Sequence, residues 1–191
     1  MEQCGWPGSE PIYIAYHDNE WGVPEYDARA LWEKLVLDGF QAGLSWITIL
    51  KKRDNFRAAF DGFRPEVIAE WGEDDVRRLL ADPGIVRHRG KIEATIKNAS
   101  AFLEIDARVG FDQFLWNYFD GVPLQNQWTS RTQIPAKTAL TEQMSRDLKR
   151  AGFSFCGPTI VYAFAQACGL INDHLVGCPR HAACAALARG R

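Results

Sequence analysis

An all-α fold is what the sequence predicts, on three observations. Apolar residues recur at three- and four-residue spacing through most of the 191 residues, the pattern of helices with one buried stripe. The segments so marked start at capping residues or proline and stop near glycine. Alternating polar and apolar runs, which would mark half-buried strands, are nearly absent.

Asp27 is placed to cap the first long helix, whose apolar positions are Leu31, Leu35 and Leu37 and which Asp38-Gly39 should interrupt. A second apolar stretch over 42–50 closes on Lys51, Lys52 and Arg53, where positive charge suits a helix C-terminus. Shorter helices are expected over 65–71 and 74–80, followed by a turn at Asp82-Pro83-Gly84. The basic run RHRGK (87–91) leads into a helix over 91–108 with Ile92, Ile96, Ala99, Phe102 and Leu103 on one face. Another follows over 112–119. The polar stretch 120–137, with Gly121, Pro123 and Pro135, reads as a loop or lobe boundary. Helices over 139–150 and 158–168 complete the order, the first ended by Gly152 and the second opened by Pro158 and closed by Gly169. Residues 1–191 are expected to form one compact catalytic domain, or two small helical lobes packed about a cleft.

Composition narrows the function. With 22 Lys plus Arg against 24 Asp plus Glu, the formal charge is -2, so a nucleic-acid partner would have to be gripped locally rather than by a globally basic surface. The opening MEQCGWPGSE has neither a basic region nor an apolar run, and no stretch approaches the roughly 18–20 apolar residues of a spanning helix. A cytoplasmic protein with no membrane partner is the expectation. Five cysteines in such a chain suggest thiols or a metal site rather than a disulfide framework.

Cys4 and His17 lie near one end, and His174 and Cys178 near the other in the run HLVGC. Two thiolates and two imidazoles suit a tetrahedral structural zinc site that would staple the termini. Composition alone does not choose those four. The tail could supply His174, Cys178, His181 and Cys184 by itself, and cysteines also pack as small hydrophobes without any metal.

The segment YIAYHDNEWG places Tyr13 and Tyr16 three apart beside His17, Asp18 and Glu20, and LVLDGFQAGLSW sets Asp38 eight residues before Trp46. Aromatic walls with a carboxylate at one edge suit a planar cationic heterocycle, since ring faces attract positive charge and the carboxylate accepts from an amino group. The competing account makes the aromatics core residues and Asp38 a helix cap. In LKRAGFSFCGPTI, Gly152 permits a reversal, Gly157 permits close approach, and the free amides around Gly157, Thr159 and Ile160 could face a phosphate, with Lys149 and Arg150 adding charge. RHRGK is a second basic cluster able to touch backbone or rim the cleft. Ser45 lacks a nucleophile-elbow setting and no H-E-x-x-H motif occurs, so serine-hydrolase and zincin chemistries are set aside.

Taken together, CGW at 4–6, YIAYHDNEWGVP at 13–24, QAGLSWITILKKR at 41–53, GIVRHRGKI at 84–92, GFSFCGPTI at 152–160 and QACGLINDH with Val176-Gly177-Cys178 resemble the DNA-3-methyladenine glycosylase I family of the helix-hairpin-helix glycosylase superfamily. The resemblance spans nearly the whole chain. It implies a helix-hairpin-helix bundle with one structural Zn2+ on Cys4, His17, His174 and Cys178 tying the N- and C-terminal regions. It also implies a pocket in which Tyr16 and Trp46 stack on the methylated adenine, with Tyr13, Trp6 and Trp21 counted as base-binding. Asp38 stands where the family usually has glutamate and is the residue assigned to catalysis. The DNA-backbone contacts fall to Gly152, Gly157, Thr159 and Lys149. The implied activity is monofunctional hydrolysis of the N-glycosidic bond of 3-methyladenine in alkylated double-stranded DNA, leaving an abasic site. A monomer without an obligate protein partner is expected, bacterial and nucleoid-associated when on DNA. Asp173, near the hairpin, is expected to support the metal site or cap locally. The competing functions are a zinc-stapled lesion sensor that does not cut and an enzyme acting on free modified nucleosides.

Overall fold

The computed structural model describes residues 4–188; residues 1–3, the start of the segment read for an export signal, lie outside them. The described residues are mostly helical: α1 (Pro11–Asn19), α2 (Ala28–Gln41), α3 (Trp46–Leu50), α4 (Arg53–Ala59), α5 (Pro65–Ile68), α6 (Glu73–Ala81), α7 (Arg89–Val109), α8 (Phe111–Trp116), α9 (Ala139–Arg150), α10 (Pro158–Ala167) and α11 (Pro179–Leu187). Two two-residue strands, β1 (Leu124–Gln125) and β2 (Ile171–Asn172), pair in parallel with Leu124 opposite Ile171. None of the described helices is long and apolar enough to cross a membrane.

Asp27 caps α2 as its position suggested, accepting from the Ala30 amide at 2.8 Å. The helix does not stop at Asp38-Gly39, however, but runs on to Gln41. Its end is set by Lys91, whose ammonium donates to the carbonyls of Phe40 (2.8 Å) and Ala42 (2.6 Å), satisfying acceptors that a helix C-terminus leaves without partners. Lys91, expected on the surface or facing phosphate, is therefore buried. For the same reason 42–50 is not one helix. The chain turns over 42–45, and α3 starts only at Trp46.

The core has two aromatic centres joined by the long helix α7. Trp32 and Phe40 of α2 meet Phe56, Phe60 and Phe63, with Phe40 and Phe56 at 4.8 Å and Trp32 reaching Phe102 of α7 at 5.6 Å. On the other side Phe102 contacts Phe111 of α8 at 4.8 Å, and Phe111 stacks on Phe153 at 5.8 Å. Such rings bury large apolar areas and dominate packing energies.

Phe153 lies in the connection between α9 and α10. The amides of Gly152 and Phe153 return to the carbonyls of Lys149 and Leu148, both at 3.0 Å, a Schellman ending that requires the φ of +103° seen at Gly152. The turn is then held to α7. Buried Asn98 exchanges two bonds with the Ser154 backbone (3.1 and 2.8 Å), and buried Ser145 donates to the Cys156 carbonyl at 2.6 Å. A surface turn fixed in this way presents its amides rigidly.

Candidate active site and metal centre

Both ends of the chain meet α2 and α10 around a cavity of about 340 Å³. Trp6, Tyr13, Tyr16 and Trp21 come from the N-terminal segment and α1, Lys34, Asp38 and Gln41 from α2, Trp46 from α3, and Gln166, Asp173 and Leu175 from the far end. All five predicted aromatics and Asp38 therefore share one cavity. Tyr16 and Trp46 are tilted at 45° with centroids 5.5 Å apart, and Trp6 sets its ring edge-on to Tyr13 (4.8 Å) and Trp21 (5.2 Å).

Asp38 is not a helix cap. It lies in the last turns of α2, 1 % exposed, and accepts from Lys34 one helical turn earlier at 2.5 Å. Its other oxygen, Oδ2, is buried with no hydrogen-bond partner among the described residues, as are the indole N–H groups of Trp6 and Trp46. Buried polar groups rarely stay unpaired, so three unpartnered polar groups on one cavity wall mark a place built to receive a polar ligand. Burial raises the Asp38 carboxyl above its ordinary pKa, and the Lys34 ammonium partly restores it. Burial also lifts the Tyr16 phenol, with Asp38 adding to the shift, so Tyr16 offers a neutral ring and a protonated hydroxyl.

Behind this wall Cys4, His17, His174 and Cys178 converge, all buried, their ligand atoms within 4.8 Å of one another. Cys4 Sγ is 3.5 Å from His174 Nδ1, and Cys178 Sγ is 3.8 Å from His17 Nε2. A tetrahedral zinc with two thiolates and two imidazoles has edges of roughly 3.3–3.8 Å. The outward nitrogens have acceptors: His17 Nδ1 lies 2.7 Å from Asp18 Oδ1 and His174 Nε2 2.9 Å from the Trp21 carbonyl. Those bonds place the ring protons outside and turn both lone pairs toward the thiols, the tautomers that metal ligation needs. Gly22 is demanded by the same packing. Its φ is +81° and a Cβ there would stand 2.9 Å from the His174 ring. Burial pushes the Cys4 thiol up to about 12 and holds the His174 imidazole down at about 4. His181 and Cys184 stay outside the cluster, His181 bonding the Asn126 carbonyl at 2.8 Å.

Asp173 does not support these ligands. Its carboxylate accepts from Asn126 (2.7 Å), Trp128 (2.7 Å), Tyr162 (2.5 Å) and Gln166 (2.8 Å). Four donors fill the lone-pair sites of a carboxylate. That leaves it tying the 120–137 loop to α10 and with no free lone pair for activating water.

The residues predicted to contact the DNA backbone lie at the connection between α9 and α10. Lys149, Gly152 and Thr159 are exposed, and Gly157 is the residue before Pro158 that opens α10. The first-turn amides of α10 have no earlier carbonyl to bond. Arg150 is paired with Asp147 at 2.9 Å and Arg89 with Glu73, also at 2.9 Å, whereas Lys149 and Arg87 of the same two segments are exposed. The two basic segments are neighbours, since Phe155 of the hairpin sets its ring against His88 at 6.1 Å. Sequence reasoning missed Lys34, Gln41 and Gln166 in the cavity. Only Lys34 carried a readable signal, its four-residue spacing from Asp38.

The sequence profile of the methyladenine glycosylase family matches residues 6–181. The chain is 52% identical over 179 residues to DNA-3-methyladenine glycosylase 1 of Escherichia coli, covering 93% of this chain and 96% of that one. Among solved structures it is similar to a crystal structure of 3-methyladenine DNA glycosylase I, with a TM-score of 0.91 and 52% identity over 93% of this chain and 98% of that one. It is also similar to a point variant of 3-methyladenine DNA glycosylase I in complex with 3-methyladenine, with a TM-score of 0.90 and 40% identity over 94% and 97% of the two chains.

Proposed function

The chain belongs to the methyladenine glycosylase family, and from that premise we propose that it excises 3-methyladenine from alkylated DNA, hydrolysing the N-glycosidic bond and leaving an abasic site without cutting the strand. The observation that carries this reading to individual residues is the cavity in which Asp38 Oδ2 stands unpartnered beside the Tyr16 and Trp46 rings.

Methylation at N3 makes the attached purine cationic, so it departs as a neutral base and needs no strong general acid. The side chains then have to select and place. Flipping exposes the bond, and it costs least at a damaged, weakly paired base. Tyr16 and Trp46 stack on the extruded purine, while Tyr13, Trp6 and Trp21 close the surrounding wall. Asp38 Oδ2 accepts from the exocyclic amino group and its charge favours the cationic form, which is the bound species about to lose its sugar. Aspartate is one methylene shorter than the glutamate usual in the family, and its place in the last turns of α2 sets how close the base must come. Water then attacks an oxocarbenium-like sugar. Asp173, with its four donors, takes no proton in this scheme.

The donor chemistry of Cys4, His17, His174 and Cys178 fits one zinc ion with no open coordination position. A zinc there would hold Trp6 and Trp21 against α1 by binding the residues beside them; it supplies structure and no chemistry. The α9–α10 connection serves as a helix-hairpin-helix on a phosphate, with the amides at Gly157 and Thr159 as donors, Gly152 making the reversal, Gly157 allowing close approach, and Lys149 adding charge. The chain acts on double-stranded DNA as a monomer.

Chromatography of bases released from methylated duplex DNA tests the reading. Wild type should release 3-methyladenine, and Asp38→Asn and Trp46→Ala, folded and metal-loaded, should release far less. Binding to the duplex without any release by the wild type would replace this reading with a lesion sensor.

A further inference from the structure

Lys34 takes up the very interactions that the pocket is expected to offer a base. Its ammonium lies 2.5 Å from Asp38 Oδ1 and 3.9 Å from the centroid of the Trp46 ring, so one cation is held at once by the carboxylate and by an indole face. A cationic purine depends on that same pair of partners. At 3.9 Å the ammonium is in contact with the ring, and no purine can stack on that face while it stays there.

Resting on the base-pocket reading above, we propose that Lys34 is a specificity-determining residue: in the free protein it fills the cation subsite, and a positively charged base enters only by displacing it. The displaced head has somewhere to go. Its stem also borders a second cavity of about 270 Å³, lined by Glu20, Glu25 and Glu33. Glu20 and Glu33 are paired there with Arg53 and Arg57, whereas Glu25, among the described residues, accepts only from the backbone amides of Tyr26 and Asp27, so it is the carboxylate that a swung-out ammonium can meet. Lys34 is flexible and 14 % exposed, and a rotamer change moves its charge from one cavity to the other without moving α2.

The consequence is a filter on charge. While Lys34 remains, Asp38 is neutralised and that face of Trp46 is covered, so a neutral base that leaves the ammonium in place binds clear of that face and gains nothing from the carboxylate's charge. A cationic base must break the Lys34 contacts before it gains them itself. Lys34 therefore weakens binding of cationic bases more than of neutral ones and sharpens the demand for a base that fits Asp38 well enough to win the exchange.

Calorimetric titration at pH 8 with two probes tests this. 3,9-Dimethyladeninium is permanently cationic, its N9 methyl standing for the glycosidic bond, and 3-methyladenine is the neutral counterpart. Lys34→Met, a swap of similar length, should tighten the cationic probe by about tenfold relative to the neutral one, from the cation–π and charge-assisted contacts it no longer has to displace. Lys34→Gln should act in the same direction, and Lys34→Arg should keep the wild-type ratio. An unchanged ratio in both Lys34→Met and Lys34→Gln, or selective weakening of the cationic probe, overturns the assignment. If neither probe binds wild type, and Trp46→Ala leaves base release from methylated duplex unaltered, then the pocket reading fails and the Lys34 assignment falls with it. If the probes bind wild type and only the ratio is unmoved, Lys34 alone is refuted.

Discussion

Replacing Asp173 by alanine removes the acceptor from four donors in one step: Asn126 Nδ2, Trp128 Nε1, Tyr162 Oη and Gln166 Nε2. The carboxylate is 1 % exposed, and a buried donor left unsatisfied costs about 1–3 kcal/mol. Four of them would cost about 4–12 kcal/mol if nothing relaxed. Asp173 also lines the main cavity, so water can reach part of the space and restore some bonds, which places the expected loss near the lower bound, about 4 kcal/mol. For a chain of this length 1 kcal/mol moves the melting temperature by roughly 2–4 °C, so Asp173→Ala should melt roughly 8–16 °C lower. Asp173→Asn keeps one acceptor oxygen but turns an NH2 toward two donors, and should fall between alanine and wild type. Differential scanning calorimetry reads both, alongside base release from methylated duplex well below each variant's transition. A variant that melts with wild type but releases no base would refute the buttress role and make Asp173 a participant in the reaction.

Three further outcomes are expected. Purified wild-type protein should carry one zinc per chain by mass spectrometry, and Cys178→Ser should lose it and melt lower; Gly22→Ala, whose Cβ would stand 2.9 Å from His174, should do the same although Gly22 is no ligand. Because burial raises the Asp38 carboxyl, the carboxylate takes up its proton as pH falls at values above the ordinary 3.9 or so. Charge recognition is lost with that proton, so kcat/KM should drop on the acid side through the raised pKa, and Asp38→Asn should flatten that limb; an acid limb that persists in Asp38→Asn assigns it to another group. Lys149→Ala should weaken binding to damaged and undamaged duplex alike and reduce the slope of log K against log salt by about 1, measured by fluorescence anisotropy, whereas a loss confined to damaged duplex contradicts a phosphate contact.

The helices with local start and stop chemistry were legible in the sequence: Asp27 announces α2, and Gly152 closes α9. The end of α2 was not, because Lys91 comes from fifty residues downstream to cap it, and a lysine is ordinarily a surface residue. Lys34 was missed although its four-residue spacing from Asp38 was readable, since nothing local says that the pair faces a cavity rather than solvent. The cysteines and histidines of the buried cluster stand out by type, but composition alone left His181 and Cys184 open as rivals; the family resemblance chose among them, and the fold accordingly turns His181 away to Asn126. Asp173 shows the limit most clearly, since its donors come from the 120–137 loop and from α10 and no local pattern links them.

The meeting of the chain ends has a bearing on how the protein is made. Cys4 faces His174 across a separation of 170 residues, and the cavity wall of Trp6, Tyr13 and Trp21 is completed by Asp173 and Leu175. At about 5–20 residues per second, the ribosome needs roughly 10–35 s to span that separation and reach the later partner. For that interval Trp6, Tyr13 and Trp21 have one another but not Asp173 and Leu175 to close their wall, while α2 and α4–α8 can already pack around Phe40, Phe56 and Phe111. The lesion pocket is thus among the last parts to assemble. A polypeptide that stops between α10 and residue 173 holds most of its core and still has no complete site.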